Sequence, residues 1–168
     1  MRVFLLGYMG CGKTTAGKKL AAKLGYTFID IDHLIEEAQG ITIAQIFEKQ
    51  GEDAFRKIEQ EMLATTFELN DVIIATGGGA PCFYNNMEAM NKNGLTIYIE
   101  MAPKALVSRL KGAIDERPLL KGKSDEELLS FISEKLEERN PFYTKAKAIV
   151  PGLSLSPESL HEAMKKFS

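Results

Sequence analysis

Eight residues near the amino terminus, Gly7-Tyr8-Met9-Gly10-Cys11-Gly12-Lys13-Thr14, constrain the fold more than any other stretch. They match the pattern GxxxxGKT. They also lie where that pattern works, between an apolar run, Arg2–Leu6, and a segment with helical spacing, Thr14–Leu24, closed by Gly25. The glycines let successive N–H groups turn inward around phosphate oxygens, and the following helix adds its positive end. Lys13 then reaches the β- and γ-phosphates, and the Thr14 hydroxyl can ligate Mg²⁺. Cys11 inside the loop reads as a small filler.

The rest of the chain alternates strand and helix in the way such a loop requires. Tyr26–Ile31 reads as a second strand, followed by a short helix capped by Asp32 and ended near Gly40. Thr42 and Gln45 form a capping box for a helix that stops at Gly51, and Glu52 to about Leu69 is a longer helix. Val72–Ala75 is unbroken in its apolar character, as in a strand buried on both faces. A helix over Asn85–Asn93, a strand over Leu95–Glu100 and a helix from Pro103 to Gly112 follow. Ala113–Lys123 has no periodicity and reads as a mobile surface loop. Ser124 and Glu127 open a helix to about Arg139 that Asn140-Pro141 ends. Ala148–Val150 is a fifth strand, and Pro157–Phe167 is the last helix. This alternation predicts a three-layer, doubly wound α/β domain with a parallel sheet.

A length of 168 residues suits one such domain, 1–168. A net charge of −2 gives no basic face for nucleic acid or for an anionic membrane. No apolar stretch approaches the roughly 20 residues of a membrane span. Cys11 and Cys82 form no CxxC pair, which points to a reducing cytoplasm.

A P-loop enzyme normally carries an aspartate at the end of a second apolar strand, yet Asp71-Val-Ile-Ile-Ala-Thr76 runs into Gly77-Gly78-Gly79. The acidic residues stand instead on the second strand, in Phe28-Ile29-Asp30-Ile31-Asp32. Two apart in a strand, Asp30 and Asp32 leave its end on one face, where ligands of doubly wound sheets bind. One can support magnesium and the other can take a proton from an acceptor hydroxyl; Asp32 as a plain helix cap is the competing reading. The glycines let backbone approach a ligand and offer N–H donors to it. Arg56 and Arg139 suit bidentate recognition of a carboxylate or phosphate, although Glu52–Arg56 and Arg56–Glu59 are also ordinary helix pairs by spacing. Arg109 lies on a charged helix face, and Arg117 lies in the aperiodic loop.

The set GYMGCGKTT, FIDID, FRKIE, ATGGGAP, ERPLL and RNPFY, in this order, resembles the shikimate kinase family, from the first strand to about Tyr143. The resemblance implies a P-loop kinase fold with strand order 2-3-1-4-5, substrate-binding helices at about 32–60 and a mobile lid at about 112–124. It implies transfer of the ATP γ-phosphate to the 3-hydroxyl of shikimate, with Mg²⁺, on the route to chorismate and the aromatic amino acids. Gly10, Cys11, Gly12, Lys13, Thr14 and Thr15 would surround the nucleotide phosphates, with Arg117 closing over them and Arg109 against the adenine. Thr14 and, through water, Asp30 would serve the metal. Asp32 would contact the hydroxyls as candidate base. Arg56 and Arg139 would grip the carboxylate, Gly77, Gly78 and Gly79 would meet the substrate through backbone, and Phe47 and Phe55 would line its pocket. The chain departs from the family after Val150, where Pro-Gly-Leu-Ser-Leu-Ser-Pro offers no placed adenine contacts. The partners implied are shikimate and ATP, for a monomer in the cytoplasm.

Rival readings remain on the residues alone. Gluconate kinase or a nucleoside monophosphate kinase shares the loop, and a catalytically dead P-loop module is conceivable. A guanine-nucleotide switch would carry NKxD, which is absent from the sequence.

Overall fold

A computed structural model describes residues 1–111 and 121–168. Five parallel strands, β1 (Arg2–Leu6), β2 (Thr27–Asp30), β3 (Val72–Ala75), β4 (Leu95–Glu100) and β5 (Ala148–Pro151), form one sheet in the order β2-β3-β1-β4-β5. This is the expected order. β3 is buried throughout and sits inside the sheet, whereas the edge strands β2 and β5 expose one and two residues.

Period-two alternation divides β1 between two cores. Val3 and Leu5 face one side with α1 (Lys13–Leu24), α6 (Pro103–Leu110), α7 (Asp125–Tyr143) and α8 (Pro157–Lys165). Phe4 and Leu6 face the other with α2 (Ile31–Gln39), α3 (Ile43–Gln50), α4 (Glu52–Thr65) and α5 (Asn86–Asn93). Helices thus cover both faces, and the three-layer reading holds. Among the described residues no helix is long and apolar enough to cross a membrane.

Several boundaries differ from expectation, and those of β2 and α7 bear on function. The second strand stops at Asp30, whose carboxylate accepts the His33 N–H at 3.2 Å and caps α2. Asp30 is therefore the cap and Asp32 sits in the first helical turn, so the two do not leave a strand on one face. Burial of Ile31 and Ile35 pulls the helix start back to this point. The helix expected to end at Asn140-Pro141 instead continues to Tyr143 with Pro141 inside it. Proline lacks one N–H and is costly in a helix interior; here it falls in the last turn, which is anchored by the fully buried Tyr143 and closed by Thr144 N–H on the Asn140 carbonyl at 2.9 Å. Finally, α4 stops at Thr65, and the chain tightens into a 3₁₀ turn over Thr66–Glu68. The capping boxes at Thr42 and Ser124 form as their spacing predicts.

Candidate active site

The phosphate loop runs from the end of β1 to α1. Gly12 precedes α1 with φ of +98°, a left-handed position that glycine adopts without penalty, and no side chain caps the helix. No acidic residue lies in its first turn. The N–H groups at this end are consequently left for an external anion. The Lys13 ammonium folds back to donate to the Gly7 and Tyr8 carbonyls, the latter at 3.2 Å. Cys11 is buried, with its sulfur 3.7 Å from Lys13 Nζ, and does not line the cleft above the loop. Its packing role as a filler fits this position.

That cleft has a volume of about 510 Å³, in the range of a small-ligand site. Gly10, Gly12, Lys13, Thr14, Thr15 and Arg109 line it. Arg109 Nη1 donates to the Gly10 carbonyl at 3.5 Å, which places this arginine beside the loop. Asp30, Asp32, Gly77 and Gly78 line the cleft as well, from β2, α2 and the run after β3. The parallel register that pairs Asp30 with Ala75 brings β2 and the glycine run to the same edge of the cleft. Thr14 Oγ1 donates to Asp30 Oδ2 at 3.1 Å, so these two oxygen donors already meet. Burial raises the Asp32 carboxyl above the usual carboxylate range, and the charges of Asp30 and Glu36 add to this; Lys13 and Arg56 oppose it.

Beyond Gly77 the site becomes denser in charge. The glycines do not have positive φ, so close approach explains them. A side chain at Gly77 would begin 2.8 Å from Glu59 Oε2 and 3.1 Å from Asp32 Oδ1. At Gly78 it would meet Arg139 Nη1 at 3.0 Å, and at Gly79 Arg56 Nη2 at 2.7 Å. Each glycine thus makes room for a different charged group. Their carbonyls are all occupied: Gly77 accepts from Ala80 N–H, Gly78 from the Tyr143 hydroxyl and Gly79 from Cys82 N–H. Among the described residues no acceptor takes the N–H of Gly77, Gly78 or Gly79.

Arg56 is buried in α4, with its Nη1 on Glu59 Oε1 at 2.9 Å and its guanidinium 4.1 Å from the centre of the Phe83 ring. Arg139 projects from α7 over Tyr8, 5.3 Å from the ring centre. Its Nη1 is buried and without a hydrogen-bond partner, as is Glu59 Oε2. Phe55 is buried and packs on the half-exposed Phe47, ring centres 4.8 Å apart. These residues lie next to the cleft lining and do not form part of it. Arg117 and most of the expected lid lie outside the described residues.

Sequence reasoning missed Glu59. Its i,i+3 spacing from Arg56 marks a routine surface pair, yet it is 1% exposed, and burial lifts its carboxyl to about 7 against the opposing charge of Arg56. The signal was available: Glu59 falls midway between Phe55 and Leu63 on the i,i+4 stripe that faces the core. Tyr143 was also missed as a contact to the glycine run, because it was placed beyond the end of its helix.

A family model described as shikimate kinase matches residues 9–167. The chain belongs to the shikimate kinase family. It is 52% identical to the shikimate kinase of Parabacteroides distasonis over 94% of this chain and 91% of that one. It is also 52% identical to that of Bacteroides fragilis, over 89% and 83% respectively. Among solved structures, shikimate kinase from Bacteroides thetaiotaomicron superposes with a TM-score of 0.92 at 45% identity, covering 99% of this chain and 97% of that one. Shikimate kinase from Acinetobacter baumannii in complex with shikimate gives 0.85 at 33% identity, covering 99% and 91%. The similarity to these shikimate kinases therefore covers nearly all of the chain and is not confined to the part before Val150.

Proposed function

We propose that this chain transfers the γ-phosphate of ATP to the 3-hydroxyl of shikimate, giving shikimate 3-phosphate and ADP. The observation that carries the acceptor assignment is the charge arrangement beyond Gly77. A buried Arg139 Nη1 without a partner, three free glycine N–H groups and Arg56 stand together beside the cleft that the phosphate loop lines. A buried donor left unsatisfied is costly, and a small carboxylate would satisfy Arg139 Nη1 together with the glycine N–H groups beside it. The family membership supports the same acceptor.

In this reading Arg139 and Arg56 hold the carboxylate end of the acceptor, so that a ring hydroxyl faces the γ-phosphate. The hydroxyl oxygen attacks phosphorus while the bond to the β–γ bridging oxygen breaks, and Asp32 accepts the hydroxyl proton. A carboxyl raised by burial is a better base for that step than an exposed one. The loop N–H groups and Lys13 meet the charge on the transferring phosphoryl group. Lys13 must leave the Gly7 and Tyr8 carbonyls to do so.

Magnesium fits the donors present. Thr14 and Asp30 supply hard oxygens 3.1 Å apart, and the described residues contain no cluster of three or more His, Cys, Asp and Glu to cage an ion. Mg²⁺ keeps its waters and binds through one or two protein oxygens plus substrate phosphates, which matches this sparse set. When bound, the ion neutralises charge on the β- and γ-phosphates.

The test is ADP release with ATP and Mg²⁺ across shikimate, gluconate and the nucleoside monophosphates. Turnover with shikimate and not with the others is expected. Turnover confined to a monophosphate would overturn the assignment.

A further inference from the structure

The continuation of α7 through Pro141 has a structural result: Arg139 and Tyr143 stand four residues apart, on one helix face. Both reach Gly78. The Arg139 guanidinium covers its Cα side, and the Tyr143 hydroxyl donates to its carbonyl. The tyrosine is itself fixed. It is fully buried, it stacks on Tyr98 of β4 with ring centres 4.8 Å apart at 28°, and the Tyr98 hydroxyl donates to Asn140 Oδ1 at 3.4 Å on the same turn of α7. Burial holds the Tyr143 phenol far above its ordinary value, against the Arg139 charge, so it stays a donor at every working pH.

We infer that Tyr143 is a positioning residue for the acceptor site, fixing the Gly78–Gly79 peptide plane through the Gly78 carbonyl so that the free glycine N–H groups and Arg139 present one preset surface to a carboxylate. A trans peptide carries its C=O and N–H on opposite sides, so pinning the Gly78 oxygen toward Tyr143 directs the Gly79 N–H away from α7. A glycine run has no side chains with which to hold its own peptides. Rotation of this plane would cost little without an external restraint. The neighbouring carbonyls of Gly77 and Gly79 are held by the local turn, through Ala80 and Cys82. The Gly78 carbonyl alone depends on a residue from a distant element.

This inference rests on the acceptor site proposed above, and its test separates the two. Tyr143→Phe keeps the ring and its stack on Tyr98 and removes only the hydroxyl. The KM for shikimate is expected to rise about threefold to tenfold, the worth of one hydrogen bond, with kcat and the KM for ATP little changed. Equal rises in both KM values, or an unchanged shikimate KM, would overturn it, since a merely structural role would not discriminate between substrates. A second readout needs no turnover. In the ligand-free protein the backbone amide resonances of Gly78 and Gly79 are expected to move in Tyr143→Phe while those of Gly10 and Gly12 do not; unmoved Gly78 and Gly79 signals refute the positioning role. Should the phenylalanine protein fold poorly, 3-fluorotyrosine at position 143 keeps the ring and strengthens the donor, and it must shift the same two resonances. If shikimate is not turned over by the unaltered protein while the resonances respond as stated, the acceptor assignment fails and the positioning role stands.

Discussion

The phosphate end and the proposed acceptor end of the site are built by opposite means. The phosphate end is local: consecutive residues between β1 and α1 supply backbone N–H groups, one lysine and one hydroxyl. Its lysine rests on nearby carbonyls, so its charge is satisfied before any ligand arrives. The acceptor end gathers Asp32 from α2, Arg56 and Glu59 from α4, and Arg139 and Tyr143 from α7 around a bare stretch of chain after β3. There, Arg139 Nη1 and Glu59 Oε2 are buried without partners. The phosphate end tolerates solvent and adapts. The acceptor end has already met the desolvation cost of its charges, which favours a ligand that completes them and penalises one that does not.

Four measurements would break or sharpen this contrast. The largest effect is expected for Asp32→Asn, which removes the candidate base while keeping shape. Its kcat should fall about 10²-fold to 10⁴-fold. Thermal stability should hold or rise, because a buried charge disappears. A kcat within a few-fold of the unaltered protein would move the base elsewhere.

Glu59 comes next and is read through stability against pH. Its folded-state value of about 7 lies above the ordinary 4.5. The folded protein therefore holds this proton more tightly than the unfolded chain, and the contribution is fully present below pH 4.5 and lost as pH rises through about 7. The change is on the order of 3 kcal/mol across that window. Denaturant melts of the unaltered protein and Glu59→Gln should diverge over this range. Parallel curves would mean that the buried carboxylate is compensated in a way the geometry does not show.

Arg139→Ala should raise the shikimate KM by about 10-fold to 100-fold, as expected for one charge-assisted hydrogen-bonding group, with the KM for ATP nearly constant. A shift in the ATP constant instead would assign Arg139 to the phosphate end. The smallest effect is expected for Phe47→Ala. Loss of its contact with Phe55 should cost about 1 kcal/mol, seen as a small drop in Tm. A large loss would show that the half-exposed ring carries more of the pocket wall than its packing suggests.

The same contrast explains what the sequence made legible. The phosphate end is a contiguous motif in a strand–loop–helix context, so spacing alone located it. The layering of helices on both faces followed from the alternation of strands and helices, whereas the strand order came only with the family resemblance. The acceptor end was legible as residue types, and its geometry was not. Asp30 and Asp32 were placed on one strand because nothing in Ile-Asp-Ile-Asp announces that the helix begins at Ile31. Pro141 suggested a helix end, but burial of Tyr143 outweighed the proline penalty. Glu59 carried the spacing of a surface pair, and only its place on the buried stripe separated it from one. In each case tertiary packing overrode a local rule.

The three glycines after β3 have a genetic consequence. Each is a single-base change from alanine, and each new methyl would strike a different partner: the carboxylates at Gly77, Arg139 at Gly78, Arg56 at Gly79. Three neighbouring codons therefore give separate access to the candidate base and to the two candidate clamps, with every charged residue left in place. A set of three alanine alleles would dissect the acceptor end by crowding alone.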